Sequence, residues 1–125
     1  MKKILWATAI DHINMMVKNL DETVAFYKAL FGFEIKKEQP EEKSLIIGND
    51  TIKLCIYEDP NAFTDKGLQH FGFHVSNYDE VMQKCLDMGL KLPYGEIVWE
   101  KSRSIYVTDP NGYDIELSEV QGGGL

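Results

Sequence analysis

His12 and His70 head two copies of one sequence element. His12-Ile13-Asn14-Met15-Met16-Val17-Lys18-Asn19-Leu20-Asp21-Glu22 and His70-Phe71-Gly72-Phe73-His74-Val75-Ser76-Asn77-Tyr78-Asp79-Glu80 share five of eleven residues. Average residue usage gives about one match or none by chance. A lone histidine on a strand is ordinarily a hydrogen-bonded structural group. Repeat-equivalent histidines are different, because internal symmetry sets them at matching points of one architecture. Glu116, near the end of the second copy, adds a carboxylate. Two imidazoles and a carboxylate in one concavity are the facial donor set for a divalent metal. Such a set leaves positions open for water or substrate, as catalysis requires.

The elements that must position these groups follow from periodicity. Ile10 to Val17 alternates and reads as a strand. Asn19 with Glu22 three residues on is a capping signal, and Leu20, Val24, Tyr27 and Leu30 form a helical stripe closed by Gly32. Strands are expected over 33–37, 44–47 and 51–57, separated by the polar turn at Pro40 and the turn Gly48-Asn49-Asp50. Glu58 to Gly67 is the seam between the halves. The second half repeats the order. A strand covers 69–75, Asn77 and Glu80 repeat the cap, and Val81, Cys85 and Met88 form the stripe, with Gly89 as terminator. A short strand is expected at 90–92. A hairpin of 102–108 with 113–119 turns at Asp109-Pro110-Asn111-Gly112. Gln121 to Gly124 reads as a flexible tail. The chain is thus α+β, with paired βαβββ modules at about 8–58 and about 68–120.

Side chains alternate faces along a strand. The apolar faces carry Ile13, Met15 and Val17, then Ile52, Leu54 and Ile56, then Phe71, Phe73 and Val75, then Ile105 and Val107, then Ile115 and Leu117. These must lie under the helices. The opposite faces carry His12, Asn14 and Met16; Lys53, Cys55 and Tyr57; His70, Gly72 and His74; Ser104, Tyr106 and Thr108; and Asp114, Glu116 and Ser118. If the sheet curls, they line a cup, with His12, His70 and Glu116 as candidate metal ligands. His74 is a candidate acid, base or substrate contact. Tyr57 and Tyr106 offer phenol donors to an oxyanion. Cys55 is expected to be inert. Trp6 and Trp99 are expected to pack at a module or dimer interface.

The chain has 125 residues, 44% hydrophobic, with 13 basic and 20 acidic side chains and a net charge of −7. That balance argues against nonspecific nucleic-acid binding. No run approaches the ~18 apolar residues of a membrane span. The short apolar start before Asp11 lacks a cleavage signal, so no signal peptide is expected. Two cysteines without framework spacing suggest reduced thiols and a cytoplasmic protein.

Asp11-His12-Ile13 running into Phe26-Tyr27-Lys28-Ala29-Leu30-Phe31-Gly32-Phe33, His70 to Val75, and above all Asp109-Pro110-Asn111-Gly112-Tyr113-Asp114-Ile115-Glu116-Leu117 resemble the vicinal-oxygen-chelate superfamily. This is the glyoxalase/bleomycin-resistance/dioxygenase family. The resemblance covers nearly the whole chain. It implies a half-open β-barrel cup around a divalent metal (Zn, Ni, Mn or Fe(II)) on His12, His70 and Glu116. It implies a homodimer in which the first-strand histidine and the other two ligands come from different chains. It also implies Lewis-acid chemistry on a chelated small substrate, with an enediolate or similar oxyanion stabilised.

Glyoxalase I enzymes carry a fourth ligand, a glutamate, where this chain has Lys53. That departure replaces a ligand with a cation suited to holding an anionic substrate, or to acting as a base if burial depresses its pKa. Ser104 and Tyr106 match a serine and tyrosine of fosfomycin-resistance thiol transferases, although the lysine-bearing loop of those enzymes is missing. The expected function is a glyoxalase-like lyase or isomerase related to lactoylglutathione lyase. Glu116, Lys53 and Tyr106 are its catalytic candidates, and Asn14, Lys53, Tyr57, Ser104, Tyr106 and His74 its substrate contacts. Alternatives are an Fe(II) extradiol-type dioxygenase, a fosfomycin-resistance-like thiol transferase, and a metal-free drug- or metabolite-binding protein.

Overall fold

The structure, a computed structural model, describes residues 9–10, 12–61 and 70–124. Trp6, Asp11, Gln69 and most of the seam expected at 58–67 lie outside the described residues. The first module is β1 (Ile13–Val17), α1 (Leu20–Phe31), β2 (Glu34–Gln39), β3 (Ser44–Gly48) and β4 (Lys53–Glu58). The second is β5 (His70–His74), α2 (Tyr78–Asp87), β6 (Ile97–Val98), β7 (Arg103–Thr108) and β8 (Asp114–Ser118). Each forms a four-stranded sheet, ordered β1-β4-β3-β2 and β5-β8-β7-β6. In both, the first strand pairs in parallel with the last, and the remaining pairs are antiparallel. The sequence repeat is therefore a repeat of topology.

Local chemistry explains α1. The Asn19 side chain accepts from the Glu22 backbone N–H at 2.8 Å, and Asp21 and Glu22 favour the positive end of the helix dipole. The carboxylate of Glu58 accepts from the Leu20 N–H at 3.0 Å, so a strand of the same module also caps the helix. Gly32 takes the left-handed conformation (φ 70°) that ends it. The same signal fails in α2. Asn77 sits at the cap position, but its side chain makes no capping hydrogen bond. Its ψ of 56° departs from the extended geometry of Asn19. Arg103 instead ties down the start of α2, meeting Asp79 at 3.2 Å and lying 4.5 Å from the Tyr78 ring.

One further expectation is corrected. Residues 90–92 form no strand. The second strand of the second module is the two-residue β6, paired through Ile97–Ser104 and Val98–Arg103. Gln121–Gly124, expected as a flexible tail, forms a turn in which Gly122 and Gly123 are left-handed. A Cβ on Gly124 would stand 2.8 Å from Cβ of Lys101, so the turn packs closely enough there to need glycine.

The face assignment holds. Met15, Val17, Leu54, Ile56, Phe71, Phe73, Ile105, Val107, Ile115 and Leu117 are all buried in one core shared by both modules. Each such side chain gains about 1.5–3 kcal/mol on leaving water. Helix α1 packs across β2, β3 and β4, and touches α2. Phe31 and Phe33 of the first module meet the ring of Phe73 at 5.3 and 5.9 Å. Cys55 is half-buried and Cys85 buried, neither in a disulfide, and burial pushes the Cys85 thiol up to about 11. No described helix is long and apolar enough to cross a membrane.

A buried polar hub fixes one module to the other. Asp109 Oδ2 accepts from the Tyr27 hydroxyl at 2.9 Å, and Oδ1 accepts from the N–H of Asn111 and of Tyr113, each at 2.9 Å. Asn111 accepts from the Lys18 N–H at 2.7 Å and donates to Thr23 Oγ1 at 3.0 Å. Tyr113 donates to the Met16 carbonyl at 3.1 Å. Removing one partner of a buried set costs more than a single hydrogen bond, because the others are left unsatisfied. Asp109→Ala is therefore expected to lower stability by about 2–4 kcal/mol in urea unfolding. A loss below about 0.5 kcal/mol, the level of ordinary surface substitutions, would contradict the hub.

Candidate functional site

The open face of the second sheet presents three rungs. Register aligns His70, Asp114 and Thr108; Gly72, Glu116 and Tyr106; and His74, Ser118 and Ser104. Parallel pairing of β5 with β8 is what brings His70 and Glu116 to one face. His70 Nε2 lies 3.4 Å from Glu116 Oε1, with the two side chains 33% and 20% exposed. Tyr106 donates its hydroxyl to the same carboxylate oxygen at 3.0 Å. Its ring also meets the His70 imidazole edge-on, with centroids 5.2 Å apart. One tyrosine thus fixes both groups. Burial first, and then the hydrogen bond to Glu116, push the Tyr106 phenol up to about 12. It remains a donor at neutral pH.

Gly72 lies between His70 and His74 along β5. A Cβ there would come to 3.3 Å of the Glu116 carbonyl and 3.5 Å of its Cβ. Glycine avoids that crowding against Glu116. Glu116 borders a cavity of about 640 Å³, bounded also by Gly72, His74, Trp99 and Ser118. A second cavity of about 370 Å³ is lined by His70, Tyr94, Ile97, Tyr106 and Asp114. Tyr94 donates to Asp114 Oδ2 at 3.2 Å, and Thr108 to Oδ1 at 3.0 Å. The Asp114 carboxylate beside it raises the Tyr94 phenol.

Five of the expected site residues therefore stand together: His70, His74, Ser104, Tyr106 and Glu116. Ser104 is fully buried and accepts from the Trp99 indole N–H at 2.7 Å. The other four lie on the first module. Asn14 pairs with Cys55, and Tyr57 with Met16 and Ser44, on the open face of the first sheet. The Lys53 ammonium is engaged by the carbonyl of Asn49 in the turn before β4. His12 is exposed, just ahead of β1. Among the described residues no group of three or more His, Cys, Asp and Glu side chains stands close enough to hold a metal ion. One chain brings together the His70–Glu116 pair without His12.

Sequence reasoning did not single out Tyr94, Asp114 or Trp99 as parts of the site. Alternation placed Asp114 on the open face, but only register sets it beside His70. Tyr94 lies in a stretch with no periodicity. Trp99 follows the apolar pair Ile97-Val98 ahead of the last hairpin and carries no periodic signal of its own.

The family model described as the Glyoxalase/Bleomycin resistance protein/Dioxygenase superfamily matches residues 9–117. The chain belongs to this superfamily. It is 23% identical over 118 residues to a catechol-2,3-dioxygenase of Bacillus subtilis, covering 88% of this chain and 41% of that protein. The chain thus spans less than half of that relative. It is 29% identical to a virulence protein of Salmonella typhimurium, covering 88% of this chain and 83% of the relative. The fosfomycin resistance protein FosX of Listeria monocytogenes shares the fold with a TM-score of 0.80 at 22% identity, over 96% of this chain and 100% of that one. A mutant of that protein has been crystallised with Mn(II) and dihydroxypropylphosphonic acid (TM-score 0.76, 22% identity, covering 90% and 92%).

The Tyr106 geometry gives a spectroscopic expectation. Difference titration of wild type against Tyr106→Phe should show one phenol ionising near pH 12. Glu116→Gln should lower that value only in part, because burial is the larger cause. A Tyr106 phenol ionising near the ordinary value of about 10 in the wild type would contradict the bond.

Proposed function

We propose that this chain is a metal-dependent, glyoxalase-like lyase or isomerase. In this reading His70 and Glu116 of one protomer and His12 of a second copy hold a divalent ion. The observation that carries it is the His70–Glu116 pair at 3.4 Å beside an unobstructed Gly72, with no third such donor close to it in the described chain. Imidazole and carboxylate suit Zn, Ni, Mn or Fe(II), and two donors on adjacent strands, braced by a tyrosine, fit such an ion. Bound there, the ion would supply Lewis acidity toward the oxygens of a small substrate.

The protein's own groups have separable tasks. Tyr106 holds the Glu116 carboxylate in one orientation and steadies the His70 ring. Glu116 is the group placed to exchange a proton with a substrate at this face. Gly72 keeps the approach clear. Asn14, Lys53 and Tyr57 line the complementary face of the first module, and a second copy would bring them over the pair. There they would donate hydrogen bonds and positive charge to an oxygenated substrate. A cup built from two chains makes a homodimer the working form. The dioxygenase reading draws on the likeness to the Bacillus subtilis enzyme, and bound iron with oxygen consumption on catechols would favour it.

The test is metal content by mass spectrometry. About one equivalent per chain is expected in wild type, as one site per histidine–carboxylate pair requires, and His70→Ala should lose it. No metal in either protein after reconstitution with Zn, Ni, Mn and Fe(II) would remove the enzyme reading. Sharing between chains has its own check. Neither His12→Ala nor Glu116→Ala should bind metal alone. Mixing and refolding the two should restore binding, because one site of a mixed dimer then carries neither substitution. No restoration would place all the ligands in one chain.

A further inference from the structure

We propose that the 640 Å³ cavity beside Glu116 is a slot for a flat, uncharged ring on the substrate, with Trp99 as its stacking platform. This deepens the proposed function by naming a substrate class: a compound whose oxygen-bearing end reaches Glu116 while an aromatic ring fills the slot.

Three observations carry it. First, Trp99 is held in place while its ring stays accessible. Its indole N–H donates to Ser104 Oγ at 2.7 Å, and its backbone N–H donates to the Ser102 carbonyl at 2.7 Å. The residue is nevertheless 49% exposed and lines the cavity. An aromatic ring whose polar edge is already satisfied, and whose rotamer is fixed, loses little entropy when a second ring stacks on it.

Second, another part of the cavity wall has no side chains. Gly122 and Gly123 line it in left-handed conformations (φ 62° and 71°). Gly124 next to them packs against the stem of Lys101, where a Cβ would stand 2.8 Å from Lys101 Cβ. The turn is anchored and bare, a smooth surface that admits a planar group.

Third, the charged residues along the loop offset one another. Glu100 and Lys101 both line the cavity, adjacent in sequence and opposite in sign. The other carboxylate of the lining, Glu116, stands at the end that the oxygen-bearing group reaches, so the ring itself meets an offset pair of charges and an uncharged ring suits it.

The experiment uses nitrogen-15-labelled, metal-free protein. The chain has two tryptophans, so its spectrum carries two indole N–H signals, assigned with Trp6→Phe. The probes are 2-naphthol and its saturated decahydro analogue, which has the same carbon skeleton without planarity. Saturable displacement of the Trp99 signal by 2-naphthol is expected, with a much smaller effect from the saturated alcohol. Trp99→Leu should weaken 2-naphthol binding on the order of tenfold, and Trp99→Phe should retain most of it. Equal binding of the two probes would overturn the slot, as would unchanged affinity in Trp99→Leu. A shift in oligomeric state in Trp99→Leu, with naphthol affinity intact, would assign Trp99 to a contact between copies and overturn it as well. Because no metal is present, the slot and the metal centre succeed or fail separately.

Discussion

The carboxylate of Asp109 is buried where two modules meet, and four hydrogen bonds hold it there. They come from the Tyr27 hydroxyl, the backbone of Asn111 and Tyr113, and the Asn111 amide. Desolvation raises its pKa and these donors pull it back. Burial and the same carboxylate push the Tyr27 phenol far above its usual range. The Tyr27 bond spans 82 residues of sequence, from α1 to the last hairpin. The hairpin that turns at Asp109 also carries Tyr106 on one arm and Glu116 on the other. The residues that fix the modules to each other therefore sit at the turn of the hairpin that presents Tyr106 and Glu116 to the site.

That coupling explains why the turn Asp109-Pro110-Asn111-Gly112 is so distinctive in the sequence. A hairpin alone needs only a turn former. Here the aspartate and asparagine also satisfy Tyr27, Thr23 and the Lys18 N–H on the other module. No buried side-chain polar atom among the described residues lacks a hydrogen-bond partner. In a 125-residue chain with one shared core, polar specificity of this kind adds to packing in selecting one module orientation.

Strand faces and the repeat were legible because they are local. Alternation depends only on the period of the strand, so Ile115 and Leu117 could be assigned inward and Glu116 outward without knowing their neighbours. The cap at Asn19 was legible for the same reason. The cap at Asn77 was not, although the motif is identical, because its backbone differs and Arg103 reaches α2 from β7. The strand expected at 90–92 failed similarly. What the sheet needed there was a partner for β7, and Ile97–Val98 met it further along the chain. Tyr94 and Asp114 became site residues only through register, which one strand's sequence does not carry. The bracing of Glu116 by Tyr106 was anticipated as a face but not as a bond.

The two modules share a frame and differ in chemistry, and the register shows where they diverge. Gly72 opposes Glu116 in the second module, and the matching rung of the first is Asn14 opposing Cys55. His70 opposes Asp114, while the residue two before Cys55 is Lys53. One face is acidic and braced by a tyrosine; the other carries an amide, a thiol and a cation. Two copies of the acidic face would repel, and two of the other would hold no carboxylate for a metal. Setting one against the other joins imidazole and carboxylate on one side with positive charge and hydrogen-bond donors on the other. With His12 outside reach of the His70–Glu116 pair in a single chain, the unlike half comes from a second copy in the reading proposed here.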